Sequence, residues 1–393
     1  MHPIKFIVRK AIFFLGTVLI FFTSCRREIS APNQPEAYVG GNFEQVFDAF
    51  WNGMNNNYVF WDIDTTNWDA VYSRYRPLFS SLNINDSNDV RKSVGYFHDM
   101  TKGLIDGHFT LTFTDSQLVS ATIDPAYERI QKRNDFHSPF FYAPIVAGRY
   151  LDSNFIFGYD STTSPGDLRF ALTGTINRNV AYLTFSEFSL KSSFESANSN
   201  GIKPVLSYFF NLIRSPNSLK GIIIDVRLNG GGDIADLNFL VGKFITTPLK
   251  FGYTRYKSGN GRLDRTPWAD AIVSPQPNAV SIVIPVIVLA DMYSVSMAEL
   301  TTMAIHTLPN GKFIGETTWG ANGPLSPNEF FNAGQFVAAG FVNVYTSSSE
   351  FKYLDNNIYE GKGFPPDIAV PFDPAALESG DDPALDKAIS QIP

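Results

Sequence analysis

The sequence predicts an α/β fold, in which a small N-terminal helical domain precedes a mostly parallel βαβ core with added antiparallel strands. Three observations predict it. Residues 42–105 carry apolar side chains at helical spacing, and strand patterns alternate with helix patterns from residue 167 onward. An apolar run also enters a tight turn at Ser296 and leaves it as a helix. Alternation of this kind favours crossovers between parallel strands.

Length and composition indicate a globular protein with a large core. The 393 residues exceed the usual size of one domain, and 44% are hydrophobic while 18% are charged. The net charge is -7, and it becomes -10 without residues 1–25, because Lys+Arg falls from 31 to 28 against 38 acids. An acidic chain without a basic cluster is not expected to bind nucleic acid.

Residues 1–25 have the pattern of an export signal. The first ten residues are basic, and the apolar run Ala11 to Phe22 is short for a membrane span but suits a signal peptide. Cys25, the only cysteine, ends this run in a way that resembles a bacterial lipoprotein signal. The resemblance implies a chain anchored by lipid on Cys25 in the bacterial cell envelope, on the periplasmic face or outer surface of the outer membrane. The alternative is an uncleaved anchor helix, and both imply export without disulfides.

The next segments are predicted in order along the chain. Residues 26–41 are polar and form a flexible tether. Residues 42–105 form three helices whose aromatic stripe is core. Residues 106–166 form a strand-rich connecting region, with strand-like pieces at 140–146 and 154–158.

Residues 167–393 form the predicted α/β core. Three buried strands, Val180–Phe185, Gly221–Arg227 and Ile284–Ala290, are each followed by a helix pattern. Residues 312–315 add a short strand, and residues 335–346 resemble the arm of a hairpin. Parallel strands bring the turns that follow them to one edge of the sheet.

Ser296 lies where the third of these strands turns into a helix. Free backbone N–H groups at a helix start point outward and stabilise a developing oxyanion, so the position suits a nucleophile. Ser296 and Glu299 also match a capping box, which is the alternative interpretation of the same residues.

Three consecutive glycines, Gly230 to Gly232, follow the predicted strand Gly221–Arg227. Without side chains, the Gly231 or Gly232 amide could approach a ligand, and with the Met297 amide it would form an oxyanion hole. A tight turn between strand and helix is the alternative. The Lys-Ser/Thr ending of a phosphate-binding loop is missing.

Four segments together resemble the C-terminal processing (tail-specific) peptidase family and the tricorn core protease. The glycine segment resembles that family's Asp-x-Arg-x-Asn-Gly-Gly-Gly motif, and Ser294, Ser296 and Glu299 match its Ser-x-Ser-x-x-Glu. Residues 315–320 and 360–367 match its Gly-Glu-x-Thr-x-Gly and Glu-Gly-x-Gly-x-x-Pro-Asp segments. The resemblance implies a ClpP/crotonase-like core and attack by Ser296.

One departure separates the chain from the tail-specific branch. That branch uses a Ser–Lys dyad, but Ala321 stands at the lysine position, and no lysine follows until Lys352. The Leu-Ile-Asp-Gly-His segment at 104–108 resembles the tricorn-like branch, which implies His108 as general base and Glu360 as the residue completing the relay. Gly107 replaces the serine that precedes the histidine in tricorn.

The resemblance therefore implies an exported serine endopeptidase that acts on peptides or unfolded polypeptides, without metal or cofactor. His98 and His306 lie in helix patterns and are expected to be structural. The alternative is a binding module for apolar ligands or peptides, since the fold resembles that of interphotoreceptor retinoid-binding modules. The sequence does not determine the oligomeric state.

Overall fold

The computed structural model describes residues 40–160, 169–197, 200–215, 218–259, 261–326 and 332–393. It shows an α/β protein with a helical N-terminal region and a large mixed sheet, which confirms the predicted fold class. The predicted signal peptide, Cys25 and all but the last two residues of the tether lie outside the described residues. Within the described residues, no helix has the length and apolar character needed to cross a membrane.

The strands in chain order are β1 (Thr110–Phe113), β2 (Thr122–Ile123), β3 (Ile156–Asp160), β4 (Arg169–Ile176), β5 (Val180–Phe185), β6 (Gly221–Asp225), β7 (Leu249–Tyr256), β8 (Ala269–Val273), β9 (Val286–Ala290), β10 (Gly311–Gly315), β11 (Phe336–Ala338), β12 (Val342–Tyr345), β13 (Ser349–Tyr353) and β14 (Ile368–Ala369).

The helices are α1 (Phe43–Asn57), α2 (Trp68–Ser80), α3 (Ser87–Thr101), α4 (Pro125–Ile130), α5 (Ala143–Ile145, continued by a π-helical turn over Val146–Tyr150), α6 (Leu190–Glu195), α7 (Ile202–Arg214), α8 (Ala235–Val241), α9 (Met297–His306), α10 (Pro374–Glu378) and α11 (Pro383–Ser390).

The first three helices begin where their sequence supplies a cap. Each follows an Asn or Asp whose side chain accepts hydrogen bonds from first-turn amides that have no partner within the helix. These capping residues are Asn42, Asn67 and Asp86. The apolar stripes of the three helices pack inward and form the core of the N-terminal region.

Strands from a distant part of the chain complete that core. A four-stranded antiparallel sheet, in the order β11-β12-β1-β2, packs against the helices. The Phe336 ring of β11 lies so close to α1 that a Cβ on Gly53 would be 2.1 Å from it. Residues 336–344, which the sequence analysis places in the α/β core, thus pack with the N-terminal helices.

The seven-stranded sheet has the order β14-β10-β9-β6-β5-β4-β3. Its strands from β14 to β5 are parallel to their neighbours, whereas β4 and β3 are antiparallel additions at one edge. Asp225 pairs with Leu289 and Gly315 with Ala290, so these strands end almost level. The turns that follow them therefore meet at one edge of the sheet.

The prediction of a strand-like piece at 140–146 is wrong, because residues 140–142 have no regular secondary structure and α5 begins at Ala143. Pro144 stands in the first turn of that helix, where its fixed φ and missing N–H are tolerated. The Tyr142 ring also lies 3.8 Å from the Arg227 guanidinium, and this tertiary contact outweighs the strand preference of the aromatic residues.

Arg227 fastens the C-terminal helix to the end of β6. Its guanidinium donates to both carboxylate oxygens of Asp225 at 2.6–2.9 Å and to both of Asp382 at 2.7–2.9 Å. All three side chains are buried. Asp382 also caps α11, so this network joins the helix start to the strand end that precedes the glycine turn.

Replacing Arg227 with alanine should lower the free energy of unfolding by about 3–5 kcal/mol, because two buried carboxylates lose their cation. Urea unfolding followed by circular dichroism measures this change. Exposed Arg91→Ala is the matched control and should unfold like the wild type. Equal stability of the Arg227 and Arg91 variants would contradict the importance of this network.

Candidate active site

Three turns at the carboxyl edge of the sheet are bonded to one another. The turn after β9 meets the glycine turn after β6, where the Val295 N–H donates to the Asn229 carbonyl oxygen at 2.9 Å. It meets the loop after β10 where the Trp319 N–H donates to the Ser294 carbonyl oxygen at 3.2 Å. These bonds hold the three turns around Ser296.

Ser296 is the residue between β9 and α9, and its backbone is strained. Its φ is 57°, a left-handed value that residues with a side chain seldom adopt, whereas ordinary capping residues are extended. Glu299 supplies its half of the capping box, since its Oε2 accepts from the Ser296 N–H at 3.2 Å. The serine therefore begins the helix, and its unusual φ indicates a role beyond capping.

The glycine turn lies directly against Ser296. A Cβ on Gly231 would lie 2.7 Å from the Ser296 Cβ and 3.0 Å from the Met297 nitrogen, so only glycine allows this approach. The Gly231 N–H donates to the Asn229 side chain at 2.9 Å, which removes it as an oxyanion donor. In the described chain, the N–H groups of Gly232 and Met297 have no hydrogen-bond acceptor.

His108 lies between α3 and β1. Its Nδ1 is 3.4 Å from the Ser347 Oγ, and its Nε2 is buried with no hydrogen-bond partner among the described residues. Burial lowers the pKa of His108, while the negative charge of Asp106 acts in the opposite direction. The ring is consequently neutral near pH 7, as a general base requires.

The sequence analysis did not assign a role to Asp106 or Ser347. Asp106 stands in the segment that identifies His108, so its position was available from the sequence. Ser347 is one of a run of hydroxyl residues that follows β12, 239 positions from His108. The pairing of β1 with β12 and the hydrogen bonds of Asp106 to Thr346 and Ser347 bring the two segments together.

Glu360 is bonded to backbone amides in the described chain. Its Oε1 accepts from the Gly107 N–H at 2.6 Å, and its Oε2 accepts from the Asn322 and Gly323 N–H groups at 2.7 Å each. It thus fastens the His108 segment to the loop after β10, and its expected part in the relay stays a prediction. Burial and Asp106 raise its pKa, and the Gly107 and Gly323 amides oppose this rise.

Glu299 holds the same loop from the side of Ser296. Its Oε1 accepts from the Thr318 hydroxyl at 2.6 Å and the Gly320 N–H at 2.8 Å, and its Oε2 accepts from the Ala321 N–H at 2.7 Å. Residues 318–323, called the clamped loop below, therefore lie between two buried carboxylates. This loop joins the Ser296 turn to the His108 segment.

The lysine position of the tail-specific branch lies inside the clamped loop. Ala321 is fully buried there, and a Cβ on Gly107 would lie 2.6 Å from it. Lys352 is on β13, where its Nζ lies 4.6 Å from the Trp268 ring centre and 4.9 Å from that of Tyr253. The Lys352 ammonium group therefore packs on aromatic rings and is not part of the clamped loop.

The connecting region clamps both sides of the site. Arg129 donates to the carbonyl oxygens of residues 104 and 105, at 3.0 Å each, just before His108. Arg133 donates to the carbonyl oxygens of residues 317 and 318, at 3.1 and 3.0 Å, where the clamped loop begins. Arg129 and Arg133 thus position the segments on both sides of the site, a role that the sequence pattern did not indicate for them.

Two other histidines have structural partners. His98 bonds Glu128 at 2.9 Å, and His306 bonds Tyr353 at 2.6 Å and Asp367 at 3.0 Å.

The side-chain atoms of Asp106, His108 and Glu360 that could hold a metal ion lie within 4.8 Å of one another. Both carboxylates already accept hydrogen bonds from the protein. Glu360 accepts from Gly107, Asn322 and Gly323, and Asp106 accepts from His108, Thr346 and Ser347.

Comparison with known proteins identifies the class. The profile of peptidase family S41 matches residues 179–370, and that of the tricorn protease C1 domain matches residues 41–86. Together these matches support a C-terminal processing peptidase family. This is a family of serine-type peptidases, which hydrolyse peptide bonds.

Relatives match only part of their length. Tricorn protease of Thermoplasma acidophilum is 26% identical over 187 residues, which is 48% of this chain and 15% of that protein. The nisin-resistance protein of Lactococcus lactis subsp. lactis is 26% identical over 201 residues, which is 49% of this chain and 57% of that protein. The chain thus covers less than two thirds of either relative.

Solved structures share the fold over nearly the whole chain. A Parabacteroides merdae protein described as a candidate peptidase has a TM-score of 0.67 at 22% identity, covering 90% of this chain and 97% of that one. Mature CPAF has a TM-score of 0.58 at 11% identity, covering 89% and 95%. At these identities the likeness concerns the fold alone.

Replacing Glu360 with glutamine should lower the free energy of unfolding by about 1–3 kcal/mol, because the amide NH₂ faces backbone N–H groups and leaves at least one without an acceptor. Urea unfolding measures the change. Exposed Glu378→Gln is the control for loss of a charge alone. If both variants unfold at the same urea concentration, Glu360 does not hold the loop as described.

Proposed function

We propose that the protein is an exported serine endopeptidase that cuts peptides or unfolded polypeptides through an acyl-enzyme on Ser296, with His108 as general base. The observation that carries this proposal is the strained Ser296 backbone, which lies beside the unpaired N–H groups of Met297 and Gly232. The clamped loop then links this turn to His108, whose Nε2 is also unpaired.

The positions of these groups support the following steps of peptide-bond hydrolysis. The Ser296 Oγ attacks the carbonyl carbon while its proton passes to His108 Nε2. The charge that develops on the carbonyl oxygen is stabilised by the Met297 and Gly232 N–H groups. His108 then returns the proton to the leaving amine, and the C–N bond breaks. Water hydrolyses the acyl-enzyme by the same transfers in reverse order.

An aromatic surface beside the turn supports a polypeptide substrate with apolar side chains. The Trp319 N–H donates to the Ser294 carbonyl oxygen, which places Trp319 beside the turn. The centre of its ring lies 6.3 Å from that of Tyr127 and 6.4 Å from that of Tyr293. Tyr127 is 44% exposed. Partly exposed aromatic rings offer rigid apolar contact area with little loss of side-chain entropy on binding.

The alternative, a binding module for apolar ligands, needs an apolar cavity. A groove of about 410 Å³ on α1 and α2 is lined by polar residues as well as by Trp51 and Tyr72. A cavity of about 20 Å³ lies behind the site, with Arg227, Asp291 and Glu316 in its wall. The second holds no more than a water molecule, and neither suits an apolar ligand.

A serine-reactive fluorophosphonate probe should label the wild type, whereas Ser296→Ala and His108→Ala should lose labelling because nucleophile or base is missing. Gel fluorescence after timed exposure measures the rate. His306→Ala, which removes a structural histidine, should retain labelling if the variant folds. The proposal would be overturned if the folded wild type reacted with no probe and cleaved no peptide in a mixture.

We also propose that the protein is held at the bacterial cell envelope by lipid on Cys25. The support is the sequence pattern of residues 1–25. Cells grown with a clickable fatty acid should incorporate it into the wild type and not into Cys25→Ser, because serine cannot form the thioether. Ser24→Ala is the control at the neighbouring position. Equal incorporation by wild type and Cys25→Ser would refute lipidation at this residue.

A further inference from the structure

Asp106 is a fully buried carboxylate with no cation beside it in the described chain. Its Oδ1 accepts from the His108 N–H at 2.9 Å and from the Ser347 hydroxyl at 2.8 Å. Its Oδ2 accepts from the Ser347 N–H at 2.8 Å and from the Thr346 hydroxyl. Four donors compensate for the buried charge, and two of them belong to Ser347.

Three acceptor atoms lie near the Ser347 hydroxyl, which has one proton to donate. Asp106 Oδ1 is at 2.8 Å, the Gly323 carbonyl oxygen at 3.2 Å and His108 Nδ1 at 3.4 Å. The carboxylate is both the nearest and the charged acceptor, so the proton lies toward Asp106. The Ser347 oxygen then presents only lone pairs to the histidine ring.

A lone pair facing His108 Nδ1 selects one tautomer of the ring. Nδ1 must carry the proton for a hydrogen bond to Ser347, which leaves Nε2 as the unprotonated nitrogen. That atom is buried and makes no hydrogen bond to Ser296 or to any other described residue, so its lone pair is available to accept a proton. Of the charged groups beside the ring, Glu360 is committed to three backbone amides, so Asp106 acts on the ring through Ser347.

We propose that Ser347 and Asp106 are the positioning pair of His108, which fix its Nδ1–H tautomer and stabilise the imidazolium that forms when Nε2 takes the Ser296 proton. Glu360 does not share this role. The assignment of the tautomer stands on the contacts of Asp106 and Ser347, whereas its part in proton transfer rests on the proposed function.

The kinetic test compares Ser347→Ala with Ser348→Ala. Ser348 is the next residue, also buried, and its hydroxyl donates to the Pro324 carbonyl oxygen at 3.1 Å, away from His108. Fluorophosphonate labelling should slow by about 10²-fold in Ser347→Ala, a loss of the order that general-base catalysis provides, and should not change in Ser348→Ala. Ser347→Thr, which keeps the hydroxyl, should recover part of the rate.

The pH profile separates positioning from simple loss of folding. Asp106 raises the pKa of His108, so Asp106→Asn should move the acid limb of the labelling profile to lower pH. Ser347→Ala keeps the Asp106 charge and should lower the rate at every pH, with a much smaller displacement. Unchanged labelling in Ser347→Ala, or an equal loss in Ser348→Ala, would overturn the proposal.

The structural test does not require activity. ¹⁵N NMR of histidine-labelled Ser296→Ala protein should show His108 protonated at Nδ1 and bare at Nε2 at neutral pH, and adding Ser347→Ala should mix the tautomers. A ring protonated at Nε2 in the Ser347 protein would sink the proposal. If the tautomer is as expected but the wild type reacts with no probe, the endopeptidase proposal fails and the positioning pair stands.

Discussion

The candidate site depends on hydrogen bonds from backbone amides to two buried carboxylates. Glu299 and Glu360 together accept from the amides of residues 320–323, and each also reaches a catalytic segment, through the Ser296 or the Gly107 amide. An amide left without an acceptor in a buried loop costs more than one hydrogen bond contributes, so the loop is held in one conformation. This loop thus joins the Ser296 turn to the His108 segment.

The sheet supplies a level platform for that loop. Because β6, β9 and β10 run parallel and end together, the glycine turn, the Ser296 turn and the clamped loop emerge side by side. The buried ion pairs of Arg227 with Asp225 and Asp382 then hold the end of β6 against the start of α11. Strain at Ser296 persists because Val295 is bonded to the glycine turn and the Ser296 N–H is bonded to Glu299.

His108 lies at the site but does not belong to the seven-stranded sheet. His108 is carried by the N-terminal region, whose core is completed by β11 and β12 from the other end of the chain. The same strand β12 leads into Ser347, so the pairing of β1 with β12 brings Ser347 beside His108. Arg133 bonds the start of the clamped loop, and Arg129 bonds the segment before His108. His108 thus has a fixed position without being part of the seven-stranded sheet.

The sequence by itself determined the α/β class, because apolar periodicity and capping residues such as Asp86 act over a few neighbouring positions. It also indicated Ser296, the glycine turn and His108, whose segments are short and contiguous. The structure decided the rest through long-range contacts. Glu360 binds amides because the chain brings Gly107 and the clamped loop to it, and residues 140–146 are not a strand because Tyr142 packs on Arg227 and α5 begins at Ala143. Ser347 faces His108 only across a β pairing. Local sequence carries no record of such contacts, since they depend on which distant segments become neighbours when the core is buried.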